Sequence, residues 1–135
     1  VIRETLNESE HETGAFYCEF EVFKEIYQLD VRNSARTGQS VFLGLITVTD
    51  GNGEKPEQKV LNNAMGKLLL TVNESLRRGD VYTRYSVSQY IIMLHTLTME
   101  NAEMVIERII KRFYREYPKM AIKLEYATIP IETVI

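Results

Sequence analysis

The sequence has a single cysteine, Cys18, in 135 residues. That excludes an intrachain disulfide and a cysteine-based zinc site, and it fits a reducing, cytoplasmic compartment. Long apolar runs are missing too: none approaches the roughly 18–20 residues of a membrane span, and the opening residues do not read as a signal peptide, so neither a signal peptide nor a membrane partner is expected. A basic surplus is also absent. The 16 Lys and Arg are outnumbered by 19 Asp and Glu, the formal net charge is −3, and the basic residues do not gather into one run. Direct binding of nucleic acid is therefore not expected. Histidine is scarce, and His11 and His95 lie far apart, which reads as two surface residues rather than a metal pair or a general base. Cys18 has no neighbouring histidine to lower its pKa and reads as a packing residue. Ser86 and Ser88 lack a G-x-S-x-G elbow, and DGNGEKPE (50–57) lacks the G-K-[ST] of a phosphate loop, so no cofactor and no metal is expected.

What is present suits one compact domain, with 44% hydrophobic residues. The first residue is Val1, as expected of a piece of a longer chain, and the glutamate-rich residues 1–12 read as a linker or the end of a preceding element. The folded domain is expected over 13–135. Phe16, Phe20, Phe23, Tyr27 and Ser34 form a helical stripe within 15–36, which Gly38 stops. Of these aromatics, an exposed remainder such as Tyr17 and Phe20 could serve an interface. VFLGLITV (41–48) is apolar on both alternating faces and predicts a strand covered on both sides at the centre of a sheet. A loop over 49–57, a helix over 57–78, a hairpin over 81–95, a helix over 99–117 ended by Pro118, and a strand with one wet face in MAIKLEYATIPI follow. The order predicts an α+β fold, helices packed on a mainly antiparallel central sheet.

SVFLGLITVTD, SLRRGDVYTRYSVSQYIIML and ENAEMVIERI resemble, in order and spacing, the core of a GGDEF domain, the diguanylate cyclase family with a nucleotidyl cyclase-like palm. The resemblance covers most of 15–128 and implies an enzyme that joins two GTP molecules with divalent metal held by carboxylates at a strand end and in the hairpin. Those positions differ here. The metal aspartate falls on Thr47, its companion on Thr49, and the signature Gly-Gly-Asp/Glu-Glu-Phe reads Ser86, Val87, Ser88, Gln89, Tyr90. Shifting the alignment by three residues brings Asp50 to the metal position without restoring the hairpin acid. Val87 also resists the positive φ that diglycine supplies, so the turn is expected to depart from the family's. The resemblance thus implies a degenerate domain without cyclase activity.

One family feature persists. Arg77 and Asp80 keep an Arg-x-x-Asp spacing before the hairpin, and Arg108 aligns with an arginine of the next helix; in the family these positions bind cyclic di-GMP. An arginine fork suits guanine O6 and N7, and a carboxylate suits its N–H edge, whereas the alternative is a helix-end charge pair. A second resemblance, of GAFYCEFEVFKEIYQLDVRNSARTGQSVF to a C-terminal domain of Firmicutes transcriptional regulators, implies attached DNA-binding and bacterial transcriptional activator domains. The leading expectation is a non-catalytic regulatory domain of a transcription regulator, with a homodimer contact among its surfaces. A cyclic di-GMP receptor through Arg77, Asp80 and Arg108 is the alternative, and an active cyclase the remaining one.

Overall fold

The computed structural model of the chain describes residues 16–77 and 79–131. These form, in order, β1 (Phe16–Tyr17), α1 (Phe20–Thr37), β2 (Phe42–Thr49), α2 (Gln58–Ser75), β3 (Val81–Ser86), β4 (Gln89–Leu94), α3 (Met99–Glu116) and β5 (Lys123–Pro130). The strands make one five-stranded sheet in the order β1-β3-β4-β2-β5. β1 runs parallel to β3 and the other three pairings are antiparallel. The architecture is α+β, a mainly antiparallel sheet flanked by helices. The expected linker over 1–12 and His11 lie outside the described residues.

α2 and α3 cover one face. Leu61, Ala64, Met65, Leu68 and Val72 of α2 and Ala102, Ile106, Ile109 and Phe113 of α3 pack on Ile46, Val48, Tyr90 and Ile92. Each set repeats at three- and four-residue intervals, so a single stripe of each helix is apolar and must turn inward. Thr98 caps α3 by accepting the Asn101 N–H at 3.1 Å, which supplies one of the four partners a helix start lacks. Two phenols pin α2 from beneath. Tyr90 Oη donates to the Met65 carbonyl at 2.9 Å and Tyr82 Oη to Asn73 Oδ1 at 3.2 Å. Burial pushes Tyr90 up to about 12 and raises Tyr82 further, so both stay neutral donors at any ordinary pH.

α1 lies on the opposite face, where Phe23, Ile26, Tyr27 and Val31 meet Val81, Met93, Leu43 and Ile91. Gly38 closes it in the left-handed region at φ 73°, its N–H on the Ser34 carbonyl, as the sequence predicts. Two expectations need correction. The first helix does not reach back through Phe16. The Phe16 N–H donates to the Asp80 carbonyl at 2.9 Å and the Cys18 N–H to Tyr82 at 3.1 Å, so the open edge of β3 draws this segment into a parallel strand before the helix starts. Nor is β2 the central strand. β4 holds that place, and the second face of β2 (Leu43, Leu45, Thr47) is only half-buried, because α1 packs mainly over β3 on that face.

Candidate functional site

β3 and β4 meet at Val87 and Ser88, with Ser86 paired to Gln89 and a bulge between Arg84 and Ser86. A two-residue primed turn needs positive φ at its first central residue. Among the described residues no non-glycine has positive φ, so Val87 stays in ordinary backbone space and the connection is not the diglycine type. The bulge adds the local twist that a non-primed turn lacks. The tip is then held by Arg84, whose Nε donates to the Ser86 carbonyl at 3.2 Å and Nη2 to the Val87 carbonyl at 3.0 Å.

Below the turn runs a chain of neutral groups. Ser86 Oγ accepts the Ser88 N–H at 3.3 Å and donates to Gln89 Oε1 at 2.9 Å, and Gln89 Nε2 donates to Thr47 Oγ1 at 3.1 Å. Thr47 and Gln89 face each other in the β2–β4 register, and the Ser88 carbonyl accepts the Val48 N–H at 2.9 Å. The hairpin and the end of β2 are therefore brought together by hydroxyl and carboxamide groups. Tyr90 points to the other face, under α2. Thr49 is buried, its hydroxyl donating to the Lys123 carbonyl at 3.4 Å and accepting the Gly51 N–H at 3.2 Å. Asp50 lies just past the strand, where its carboxylate accepts the Asn52 N–H at 2.7 Å and the Glu54 N–H at 3.2 Å, the work of a loop-ordering Asx turn. Among the described residues no three His, Cys, Asp or Glu side chains gather as a metal site. Hard divalent cations require anionic oxygens, and the neutral chain supplies none.

Arg77, Asp80 and Arg108 divide into two environments. Arg77 and Arg108 line one open groove of about 1310 Å³ between the end of α2, residues 37–40 and α3. Arg108 Nη2 reaches the Ser75 carbonyl at 3.4 Å, capping the negative end of α2. Asp80 is buried and turned inward, its Oδ2 accepting the Arg77 backbone N–H at 3.1 Å while its own N–H donates to the Arg77 carbonyl. Desolvation raises its pKa, and the Arg77 amide, the Arg77 guanidinium and His95 hold it back. A guanine edge in the groove would thus meet arginines but not this carboxylate.

The raised Asp80 pKa has a definite sign. The folded state binds the proton more tightly than the unfolded state, so stability falls as pH rises from the ordinary aspartate value of 3.8 through the raised folded value. Asp80→Asn keeps an acceptor for the Arg77 N–H and removes the titration. Urea melts across that acid window should show a smaller decline for the variant than for the parent, and parallel curves would show that Asp80 is not the group responsible.

Lys111, Arg112 and Arg115 join Arg108 on the groove wall, with Leu97 and Met104. The absence of a basic run in the sequence concealed them, yet positions 108, 111, 112 and 115 fall at helical spacing, and that was the available signal. His95 also lines the groove, its Nε2 3.1 Å from Asp30 Oδ2 on α1. Cys18 is buried against the Tyr82 carbonyl, and burial pushes its thiol up, as suits a packing residue. Tyr17 and Phe20 are exposed, Phe20 lying 5.6 Å from the ring of Tyr85.

No family model and no curated protein matches the sequence. Among solved structures, the chain is similar to a DGC protein from Thermotoga maritima, at 16% identity and TM-score 0.69, over 87% of this chain and 82% of that one. It is similar to the diguanylate cyclase SiaD of Pseudomonas aeruginosa, solved with its activator SiaC, at 15% identity and TM-score 0.70, covering 96% of this chain. It spans only 54% of SiaD. The GGDEF domain of DgcB from Caulobacter crescentus, in complex with c-di-GMP, matches at 8% identity and TM-score 0.67, over 84% of this chain and 72% of that one. The fold is thus that of GGDEF diguanylate cyclase domains.

Proposed function

We propose that this chain is a non-catalytic signalling or regulatory domain built on the GGDEF fold. The observation that carries the reading is the neutral Ser86–Gln89–Thr47 hydrogen-bond chain in the place where the resemblance expects metal carboxylates. A threonine hydroxyl and a glutamine carboxamide bonded to each other carry no negative charge with which to replace water around magnesium. The domain would work in the cytoplasm as part of a bacterial transcription regulator, with attached DNA-binding and activator domains, no direct nucleic-acid contact of its own and a homodimer contact among its surfaces. Calorimetric titration with GTP, with and without magnesium, tests the site. No metal-dependent heat is expected, and metal-dependent binding removed by Asp50→Ala would place the metal at the end of β2 and overturn the reading.

A cyclic di-GMP receptor is the second reading, supported by Arg77 and Arg108 sharing one groove and weakened by the inward Asp80 carboxylate. The DgcB structures carry that ligand. Thermal melts with millimolar cyclic di-GMP decide it, since an unchanged melting temperature removes the reading.

A further inference from the structure

The groove contains more charge than its own residues neutralise. Its three carboxylates are all engaged: Glu74 and Glu116 hold Arg112 at 2.6 and 2.7 Å, and Glu107 accepts the Tyr126 hydroxyl at 2.9 Å. Among the described residues none of Arg77, Arg108, Lys111 and Arg115 is paired with a carboxylate. Beside these cations stand Leu97, 86% exposed, and Met104, 66% exposed, the two most exposed large apolar side chains among the described residues. Exposed apolar side chains bordered by unpaired cations offer a partner both an apolar and an electrostatic contact.

We propose that this groove docks an acidic polypeptide segment carrying an apolar anchor. Size favours a segment over a small ligand, because about 1310 Å³ exceeds the roughly 300–1,000 Å³ of ordinary small-molecule pockets. Charge complementarity sets the sign of the partner. The apolar pair sets its class: a phosphate backbone has nothing to place on Leu97 and Met104, whereas a Leu or Phe side chain between glutamates does, and methionine adapts to varied apolar shapes. The net charge of −3 also opposes a long polyanion while leaving the local cations able to steer a short one. The inference does not depend on whether the hairpin is catalytic.

Fluorescence anisotropy with a labelled synthetic peptide, glutamates flanking a central Leu-Phe pair, tests it on the whole chain. Saturable binding that weakens with added salt is expected. Reversing two wall charges, Arg108→Glu with Lys111→Glu, should weaken it by about tenfold or more, and Leu97→Ser with Met104→Ser by about fivefold. Leu97 and Met104 are exposed, so the apolar variant should keep the parent's melting temperature, whereas the charge variant, which also loses the Arg108 contact with the Ser75 carbonyl, should melt only a few degrees lower. Absence of saturable binding, binding untouched by either pair of changes, or equally tight binding of oligothymidylate would overturn the proposal.

Discussion

Gly44→Ala is expected to destabilise the domain by about 1–3 kcal/mol, and Ile106→Val in the same chain to recover most of that loss. Glycine inside a strand ordinarily weakens it by roughly 0.5–1 kcal/mol relative to alanine, so the direction is the reverse of the intrinsic preference. The cause lies in the closeness of α3 to the sheet. A Cβ on Gly44 would stand 2.6 Å from Ile106 Cδ1 and 3.0 Å from its Cγ1. Ile106 is fully buried, leaving that side chain little room to move in a close-packed interior. Valine at 106 lacks the Cδ1 atom and opens the space. Ile106→Val alone should cost about 0.5–1.5 kcal/mol. Urea melts of the four proteins in the cycle should therefore give a favourable coupling of about 0.5–3 kcal/mol. A neutral Gly44→Ala, or two losses that simply add, would show that α3 does not rest on this glycine.

The helices and the strand with one wet face were legible because their signals are periodic and local. The α3 stripe from Ala102 to Phe113 and the alternation of Leu124 with Lys123 and Glu125 each state which side faces the core. β1 was not legible, because a two-residue strand has no period, and its existence depends on the exposed edge of β3, some 65 residues away in the chain. The place of β2 was misjudged for a related reason: an apolar run reports burial but not which strand lies between which. At the hairpin, the residue types indicated that the turn would not be of the diglycine type. The bonds from Ser86 through Gln89 to Thr47 could not be read in advance, since they require the β2–β4 register. Asp80 illustrates the opposite limit. Its Arg-x-x-Asp spacing carries no information on which way the carboxylate turns, and the tight Arg77–Asp80 turn directs it to a backbone amide. The groove cations escaped notice because they were sought as a run and are gathered by a helix.

The absence of cyclase chemistry is the other large effect expected. Phosphoryl transfer to a nucleotide hydroxyl is accelerated chiefly by positioning and by metal charge against the phosphates. Where the resemblance expects two carboxylates, the chain has Thr47 bonded to Gln89, and Ser88, whose backbone is fixed by Ser86 and Val48. Asp50 lies beyond the strand end, where its Oδ1 orders the 50–54 loop by accepting the Asn52 and Glu54 N–H groups. Incubating the protein with GTP and magnesium or manganese, and separating the nucleotides by chromatography, tests this most directly. The expected result is GTP recovered intact with no cyclic di-GMP above a protein-free control; cyclic di-GMP that accumulates in proportion to enzyme, and that Asp50→Ala abolishes, would contradict it.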